Sequence, residues 1–203
     1  MMGRTHKAGG VLTGVVASRL FYSDDLYLTG ICIVTLVGGC VLGSLLPDID
    51  KKESTIGRIL WFISWPIYFL RLMFKLLADL FPGKIKRAFK KADKDFGHRG
   101  IAHSLVTWAV LTASFWSGYT FLMSYVSTVV QMSLFAFLLG VSLGMISHIA
   151  LDLLTGGGVA LFSPVSNIKI KMPCIEIRGF AEFILREAMV LLFTAHILFI
   201  KNN

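Results

Sequence analysis

Long apolar stretches separated by short polar segments form the main pattern along the chain. The clearest stretch runs from Leu26 to Leu46, about twenty residues without a charge, enough for a helix to cross the hydrocarbon core of a bilayer. The stretch at residues 8–22 is shorter and Gly-rich, so it either crosses a thinned bilayer or packs as a half-buried helix. Further spans are predicted at residues 105–126, 130–151 and 180–200. The pattern predicts an all-α polytopic membrane protein, a helical bundle in which residues 1–203 form one domain.

Residues 56–81 fit a spanning helix poorly, although they are apolar and aromatic. Arg71, Lys75 and Asp79 recur every four residues on one helical face, and Pro66 interrupts the segment. We expect a pair of interfacial or re-entrant helices bent at Pro66, with the charged face among the headgroups and the aromatic side chains in the lipid. One spanning helix with a proline kink is the alternative.

Two features near the C-terminal end differ from the spans. Residues 168–172 and 175–178 alternate apolar and charged positions on either side of a proline, which predicts a small surface β-hairpin. Glu182, Arg186 and Glu187 occupy the first turns of the last span, and we expect them to pair with one another at the membrane surface.

Composition supports a bilayer environment. The chain is 55% hydrophobic and 16% charged, with a mean hydropathy of +0.72. A soluble domain carries about 25% charged residues, so a soluble enzyme, a disordered chain and a secreted disulfide scaffold are largely excluded. The three cysteines are too few for a disulfide framework and are expected to be packing residues.

The net charge of +8 is concentrated in a basic loop at residues 82–99. Its cationic side chains are Lys84, Lys86, Arg87, Lys90, Lys91, Lys94 and Arg99. By the positive-inside rule this loop is cytoplasmic. Because the basic residues lie between apolar stretches, they are expected to set membrane orientation, and no nucleic-acid partner is expected.

Ionisable side chains lie at the ends of the predicted spans: His6, Asp48, Asp50, His98, His103, His148 and Asp152. If residues 56–81 do not cross and residues 8–22 do, one topology brings this whole set to the cytoplasmic face. His148 and Asp152 are four residues apart and therefore share one helical face. His103 opens the span at residues 105–126, whereas His98 is expected on the loop ahead of it.

These side chains have the chemistry of a metal centre. Imidazole and carboxylate groups bind zinc or manganese, and a bound ion lowers the pKa of a coordinated water to about 7. The candidates exceed the ligands of a closed zinc site, so a hydrolytic centre with one or two ions is expected. Arg99 has the planar fork that binds phosphate or carboxylate, or it acts only as a positive-inside residue. The structural alternatives are a helix cap at Asp48 and a His148–Asp152 hydrogen bond inside the bundle.

Three segments, residues 45–50, 97–105 and 147–155, have the sequences LLPDID, GHRGIAHSL and SHIALDLLT. In this order and spacing they resemble the YdjM-like family of bacterial inner-membrane proteins, which are described as metal-dependent hydrolases. His6 looks like that family's N-terminal histidine, whereas the long basic insert at residues 81–96 departs from the family pattern. The resemblance implies a multi-pass protein of the bacterial inner membrane, with a metal centre built from the set of ionisable side chains named above.

The first hypothesis is a membrane-bound metal-dependent hydrolase that acts on an ester or phosphoester at the cytoplasmic leaflet, with a lipid headgroup as the substrate favoured by location. Its cofactor is expected to be a divalent metal, zinc or else manganese, and its partner is membrane lipid. Asp50 is expected to complete or bridge the centre, and Arg99 to stabilise anionic charge. The alternative is a non-catalytic metal-ion or proton transport protein, which predicts ionisable groups near the middle of spans with access from both faces.

Overall fold

The computed structural model describes residues 3–51, 53–96, 99–166, 168–172 and 179–201, with side chains as far as residue 195. These residues form the α-helices α1 (Gly3–Ala17), α2 (Leu26–Gly43), α3 (Thr55–Ile59), α4 (Trp61–Leu80), α5 (Gly83–Asp95), α6 (Leu105–Leu122), α7 (Thr128–Leu153) and α8 (Phe180–Lys201). Short 3-10 segments accompany them at Ser18–Phe21, Leu46–Asp50, Ile101–His103 and Met123–Tyr125. The prediction of an all-α protein is confirmed.

Several of these segments are long and apolar enough to cross a membrane, namely Leu26–Asp50, Trp61–Leu80, Leu105–Tyr125 and Thr128–Leu153. The polytopic class is therefore confirmed. The first helix differs from its predicted range of 8–22, because α1 begins at Gly3 and ends at Ala17. At its end the Ser18 hydroxyl donates to the Val15 carbonyl at 2.7 Å, where the chain tightens into a 3-10 segment. His6 consequently lies within α1 and not ahead of it.

No β-strand is present in the described part of the chain. An isolated antiparallel bridge joins Val159 and Ile170, whose backbone groups exchange two hydrogen bonds of 2.9 Å. The predicted hairpin paired residues 168–172 with 175–178, and the second run lies outside the described residues. Ile170 pairs instead with Val159, in the segment after α7. A turn in which the Gly158 N–H donates to the Thr155 carbonyl at 3.0 Å brings this segment back towards Ile170.

Helices α2 and α7 pack backbone against backbone, and glycines permit this approach. Gly39 and Gly43 of α2, like Gly140 and Gly144 of α7, are four residues apart. A Cβ atom at any of these positions would collide with a backbone carbonyl oxygen of the other helix. Inside a bilayer no hydrophobic effect drives helices together, so close van der Waals packing between small residues holds the pair.

The two helices of this pair run in the same direction. Gly144 lies against Cys40, and one turn further along His148 bonds to Ser44, so the paired residue numbers rise together. The C-terminal ends of α2 and α7 therefore meet at the same end of the bundle.

Helix α6 runs antiparallel to α7. The Trp108 indole N–H donates to the Ser142 carbonyl at 3.1 Å, and further along α6 the Trp116 ring packs on Phe135 with centroids 5.1 Å apart. The start of α6 therefore lies beside the end of α7.

Helix α1 runs antiparallel to α2. Gly10 lies against Ser44, and Gly14 lies against Val37. The first turns of α1 consequently reach the end of the bundle where α2 and α7 finish.

The chain breaks between α3 and α4 at Leu60 and not at Pro66. Leu60 leaves the helical region with φ −99° and ψ 48°, and the Ser64 hydroxyl donates to the Gly57 carbonyl at 2.7 Å across the break. Pro66 lies inside α4, near its start, where its missing N–H removes only one helical hydrogen bond. The segment predicted to bend at Pro66 is therefore a short helix followed by a 20-residue one.

Candidate metal centre

The structure brings all but one of the predicted ligand candidates together at one end of the bundle. They come from separate parts of the chain: His6 from α1, Asp48 and Asp50 from the Leu46–Asp50 segment, His103 from just ahead of α6, and His148 and Asp152 from α7. All of these side chains are buried. The remaining candidate, His98, lies outside the described residues.

His148 is oriented by a backbone hydrogen bond. Its Nδ1 atom lies 2.6 Å from the carbonyl oxygen of Ser44, just after α2. Because a carbonyl oxygen only accepts, Nδ1 carries the proton and Nε2 keeps a lone pair. Among the described residues Nε2 has no hydrogen-bond partner, and it lies 3.7 Å from Asp152 Oδ2. Metal-binding histidines are typically held by a second hydrogen bond of this kind.

The Asp152 carboxylate lies at the centre of the cluster. His6 Nε2 is 3.5 Å from its Oδ1 atom, and His103 Nε2 is 3.6 Å from its Oδ2 atom. The His6 ring also stacks on the His148 ring, with centroids 3.7 Å apart. Residues that are distant in the sequence therefore share one carboxylate.

Asp48 and Asp50 approach His103 from the segment that follows α2. His103 Nε2 lies 3.7 Å from Asp48 Oδ1, and its Nδ1 lies 3.8 Å from Asp50 Oδ2. The Ser54 hydroxyl donates to the Asp48 carbonyl at 2.8 Å and so fixes this turn. Burial lowers the pKa of His103 below its ordinary value, although the neighbouring Asp48 carboxylate acts to raise it. His103 is therefore a neutral imidazole, the form that binds metals.

The nitrogen–oxygen distances in the cluster fit joint coordination of a cation. Around Asp48 and Asp152 they run from 3.5 to 3.7 Å, beyond the ~2.7–3.2 Å of an N–H···O hydrogen bond. The 3.8 Å contact of Asp50 is with the other ring nitrogen of His103. Two ligand atoms that each lie about 2.0 Å from one ion at a tetrahedral angle are about 3.3 Å apart. The ligand atoms of His6, Asp48 and His148 lie within 4.8 Å of one another, as do those of His103, His148 and Asp152. His148 belongs to both groups.

The described part of the cluster is rich in carboxylates. Its carboxylates are those of Asp48, Asp50 and Asp152, and among the described residues two cationic side chains lie beside them. Arg99 Nη2 donates to Asp152 Oδ1 at 3.0 Å, and Lys51 Nζ lies 3.3 Å from Asp48 Oδ1. Buried carboxylates are costly unless cations or hydrogen-bond donors compensate them, and a cation bound here would do so. The donor set and the charge both fit a divalent metal.

Arg99 is buried beside Asp152. Its backbone φ of 63° is in the left-handed region, which is uncommon outside glycine. A Cβ atom at Gly157 would collide with the Arg99 guanidinium, so the glycine-rich turn after α7 makes room for this side chain. Arg99 Nε has no hydrogen-bond partner among the described residues. Arg99 therefore retains a donor for an anion beside the centre.

A buried hydrogen bond attaches α8 to the turn that carries His6. The Thr5 hydroxyl donates to Glu182 Oε1 at 2.7 Å, and both side chains are buried. The expectation that Glu182 lies at the surface is wrong, whereas Arg186 and Glu187 do pair, at 2.9 Å. Thr5 and Glu182 are 177 residues apart, so no local spacing reveals their contact.

We expect Thr5→Val to lower the free energy of unfolding by about 1–3 kcal/mol, because a buried carboxylate loses a hydrogen-bond donor. Thermal unfolding in detergent measures this change. Thr13→Val is the matched control on the same helix, since the Thr13 hydroxyl donates only within its own turn, to Gly9 at 2.8 Å. Equal losses in the two variants would show that the Thr5–Glu182 bond contributes no more to the free energy of unfolding than the local Thr13 bond does.

The fold and the cluster together define a polytopic all-α membrane protein that buries imidazoles and carboxylates at one end of its bundle. The family model of the YdjM inner membrane protein matches residues 1–202, and the chain belongs to this family. It is therefore a multi-pass inner membrane protein.

Individual relatives agree with this membership. The inner membrane protein YdjM of Escherichia coli K12 is 31% identical over 129 residues, which cover 64% of this chain and 49% of that protein. The YdjM protein of Shigella flexneri matches to the same extent. The uncharacterized protein YvsG of Bacillus subtilis is 25% identical over 175 residues, 85% of this chain and 79% of that protein. No solved structure matches the chain.

Proposed function

We propose that the protein is a membrane-bound metal-dependent hydrolase that cleaves an ester or phosphoester at the cytoplasmic leaflet. The observation that carries this proposal is the convergence of His6, His103 and His148 with three buried carboxylates from separate segments. A helix cap uses one such group and a buried pair uses two, whereas this cluster buries six, and a shared ion would offset the cost of burying them.

The residues proposed to hold the metal are His6, Asp48, Asp50, His103, His148 and Asp152, with His98 as a further predicted ligand. Imidazole mixed with carboxylate favours zinc, with manganese as the alternative. The centre is proposed to hold one or two ions; His148, which belongs to both groups of ligand atoms, has one free ring nitrogen and binds only one of them. A divalent ion bound here supplies Lewis-acid activation of water and of the scissile ester near neutral pH.

Two side chains have roles of their own in the proposed reaction. Asp50, 3.8 Å from His103, accepts the proton of the attacking water at a carboxylate oxygen. The guanidinium of Arg99 stabilises the negative charge that develops on the substrate oxygen, because its planar fork already lies beside Asp152.

Location favours a lipid headgroup as the substrate. The basic residues at 82–99 predict that this end of the bundle faces the cytoplasm, and the cluster lies at the ends of α2 and α7 and not at their middles. A transport site would instead have its ionisable groups near the middle of the spans.

Hydrolysis by the detergent-purified protein tests this function. The protein is stripped with a chelator, reloaded with zinc or manganese, and assayed on phospholipids, chromogenic phosphoesters and carboxylic esters. We expect activity to disappear with the metal and to return on reloading. A protein that rebinds metal but cleaves none of these substrates would favour the transport alternative.

We expect Arg99→Lys to lower kcat for an anionic phosphodiester about 100-fold, because an ammonium group lacks the planar fork. The same variant should lose much less activity on an uncharged carboxylic ester, and its metal content should stay unchanged. Steady-state kinetics on the two substrates provide the comparison. Equal losses on both would mean that Arg99 only supports the fold around Asp152.

A further inference from the structure

The directions of the helices decide whether α4 crosses the membrane. Helices α2 and α7 are parallel, and α6 is antiparallel to α7. With α2, α6 and α7 each crossing once, α2 must end on the side where α6 begins. If α4 crossed the membrane between α2 and α6, α6 would begin on the opposite side. Helix α7 would then run antiparallel to α2, which the structure contradicts. Helix α4 therefore does not cross, although its length and composition would permit it.

The packing of α5 leads to the same conclusion. Helix α5 folds back along the second half of α4, where Arg71 Nε lies 3.4 Å from Asp93 Oδ1. The Phe74 ring contacts Phe89 and Phe96, with centroids 6.3 and 5.8 Å apart. The Lys and Arg side chains of α5 accompany this half of α4, and such charges are strongly disfavoured in hydrocarbon. The hairpin formed by α4 and α5 therefore does not span the hydrocarbon core.

One face of α4 is an exposed apolar stripe. Its members are Phe62, Trp65, Phe69, Leu72, Leu76 and Leu80, each 42 to 73% exposed. They follow one another at intervals of three or four residues and so share one side of the helix. Arg71 and Phe74, which contact α5, lie on the opposite side. An amphipathic helix with this pattern lies in the plane of a membrane surface, with its stripe in the lipid.

The surface of α5 that faces away from α4 is basic. Its exposed cations are Lys84, Arg87, Lys91 and Lys94, whereas Phe89 and Asp93 turn towards α4. Lys90 is also exposed but lies on the flank of α5, where it lines the cleft between the helices with Lys75 and Asp79. Packed helices have axes about 8–10 Å apart, and the headgroup layer on each side of a bilayer is about 5–8 Å thick. With the α4 stripe in the acyl region, α5 lies above α4 at the outer edge of the headgroup layer. Long lysine side chains on its flank, with Lys90 nearest to α4, extend back to the lipid phosphates.

We propose that the α4–α5 hairpin is a non-crossing unit on the cytoplasmic membrane surface, with the α4 stripe in the lipid and the α5 cations bound to the phosphates of anionic lipids. The part of the chain that contains the hairpin begins just after Asp50 and ends just before Arg99, so the hairpin gathers these headgroups beside the cluster. The lipid surface goes beyond the proposed hydrolysis and does not require it.

Sidedness tests the non-crossing arrangement. Single cysteines at Glu53, Lys84 and Ser127, in a chain whose natural cysteines are replaced by alanine, are labelled with an impermeant maleimide in sealed vesicles. We expect Glu53→Cys and Lys84→Cys to react from the cytoplasmic side, and Ser127→Cys to react from the other side. Labelling of Glu53→Cys and Lys84→Cys from opposite sides would overturn the proposal.

Binding of fluorescent phosphatidylglycerol to the detergent-purified full chain tests the lipid surface. We expect the double substitution of Lys90 and Lys94 by glutamine to weaken binding about fivefold per lysine, roughly 25-fold in all. The matched control replaces Lys169 and Lys171, two exposed lysines outside the hairpin, and should change binding little. His103→Ala should bind the lipid as the wild type does, which separates this surface from the metal centre.

Three outcomes of the lipid assay would overturn the proposal. Equal weakening in the two lysine pairs would mean that net charge alone attracts the lipid. Equal binding of phosphatidylcholine and phosphatidylglycerol would remove the role of phosphate charge. Tighter binding of a labelled oligonucleotide at the same salt concentration would make α5 a nucleic-acid surface. Each variant must give the same size-exclusion profile as the wild type. If the double variant aggregates, Lys90→Gln alone is measured in its place, with an expected weakening of about fivefold.

Discussion

Replacing His148 with alanine should lower metal affinity and hydrolysis by more than about 100-fold, since groups that merely orient a metal ligand already contribute 10- to 100-fold. His148 has the largest expected effect because its Nε2 belongs to both groups of candidate ligand atoms. Its Nδ1 is held by the Ser44 carbonyl, so no neighbouring imidazole can take its place without moving the backbone. Metal analysis after chelation and reloading, together with the ester assay, measures both losses.

Ser147→Ala is the matched control for this prediction. Ser147 precedes His148 on α7, but its hydroxyl donates to the Gly144 carbonyl of the same helix at 3.1 Å. We expect this variant to retain metal and activity. A His148→Ala protein that keeps both at wild-type levels would remove His148 from the centre and leave the two ligand groups without their shared member.

Gly144→Val should separate α7 from α2 and disassemble the cluster. A Cβ atom at Gly144 would collide with the Cys40 carbonyl, a backbone atom that cannot rotate away. Overpacking of this kind costs about 3 kcal/mol, and it acts one turn before His148, so the His148–Ser44 bond should break as well. We expect a lower unfolding temperature in detergent and loss of metal from a protein that retains every ligand.

Gly38→Val is the control for the glycine prediction. Gly38 lies on α2 next to a glycine of the interface, but a Cβ atom there meets nothing within 4 Å in the described structure. The two variants receive the same β-branched side chain, so any difference between them reports helix packing and not helix propensity. Comparable destabilisation by both would contradict the close α2–α7 contact.

Features set by local pattern were predictable from the sequence. The uncharged stretch at 26–46 contains α2, and the stretch at 130–151 lies within α7, because both apolar runs end sharply at polar residues. The spacing of His148 and Asp152 places them on one helical face whatever surrounds the helix. The ionisable residues at the ends of the spans also meet, because parallel α2 and α7 finish at the same end of the bundle.

Contacts between distant segments could not be predicted in the same way. Glu182 has charged neighbours on α8, and its buried hydrogen bond to the distant Thr5 has no signal in the sequence. The atom that orients His148 is a backbone carbonyl, which no residue type reveals. The spacing of Gly140 and Gly144 is visible in the sequence, yet it does not say which helix they approach. The break at Leu60 likewise depends on a hydrogen bond across it rather than on the proline that follows.

X-ray absorption spectroscopy of the zinc-loaded protein tests the central claim most directly. We expect a shell of nitrogen and oxygen atoms at about 2.0–2.1 Å from the metal, together with the outer-shell scattering of at least two imidazole rings. The His103→Ala protein should lack the scattering of one ring. A spectrum with sulfur ligands, or with oxygen ligands and no imidazole scattering, would contradict the assembly of these histidines and carboxylates around a cation.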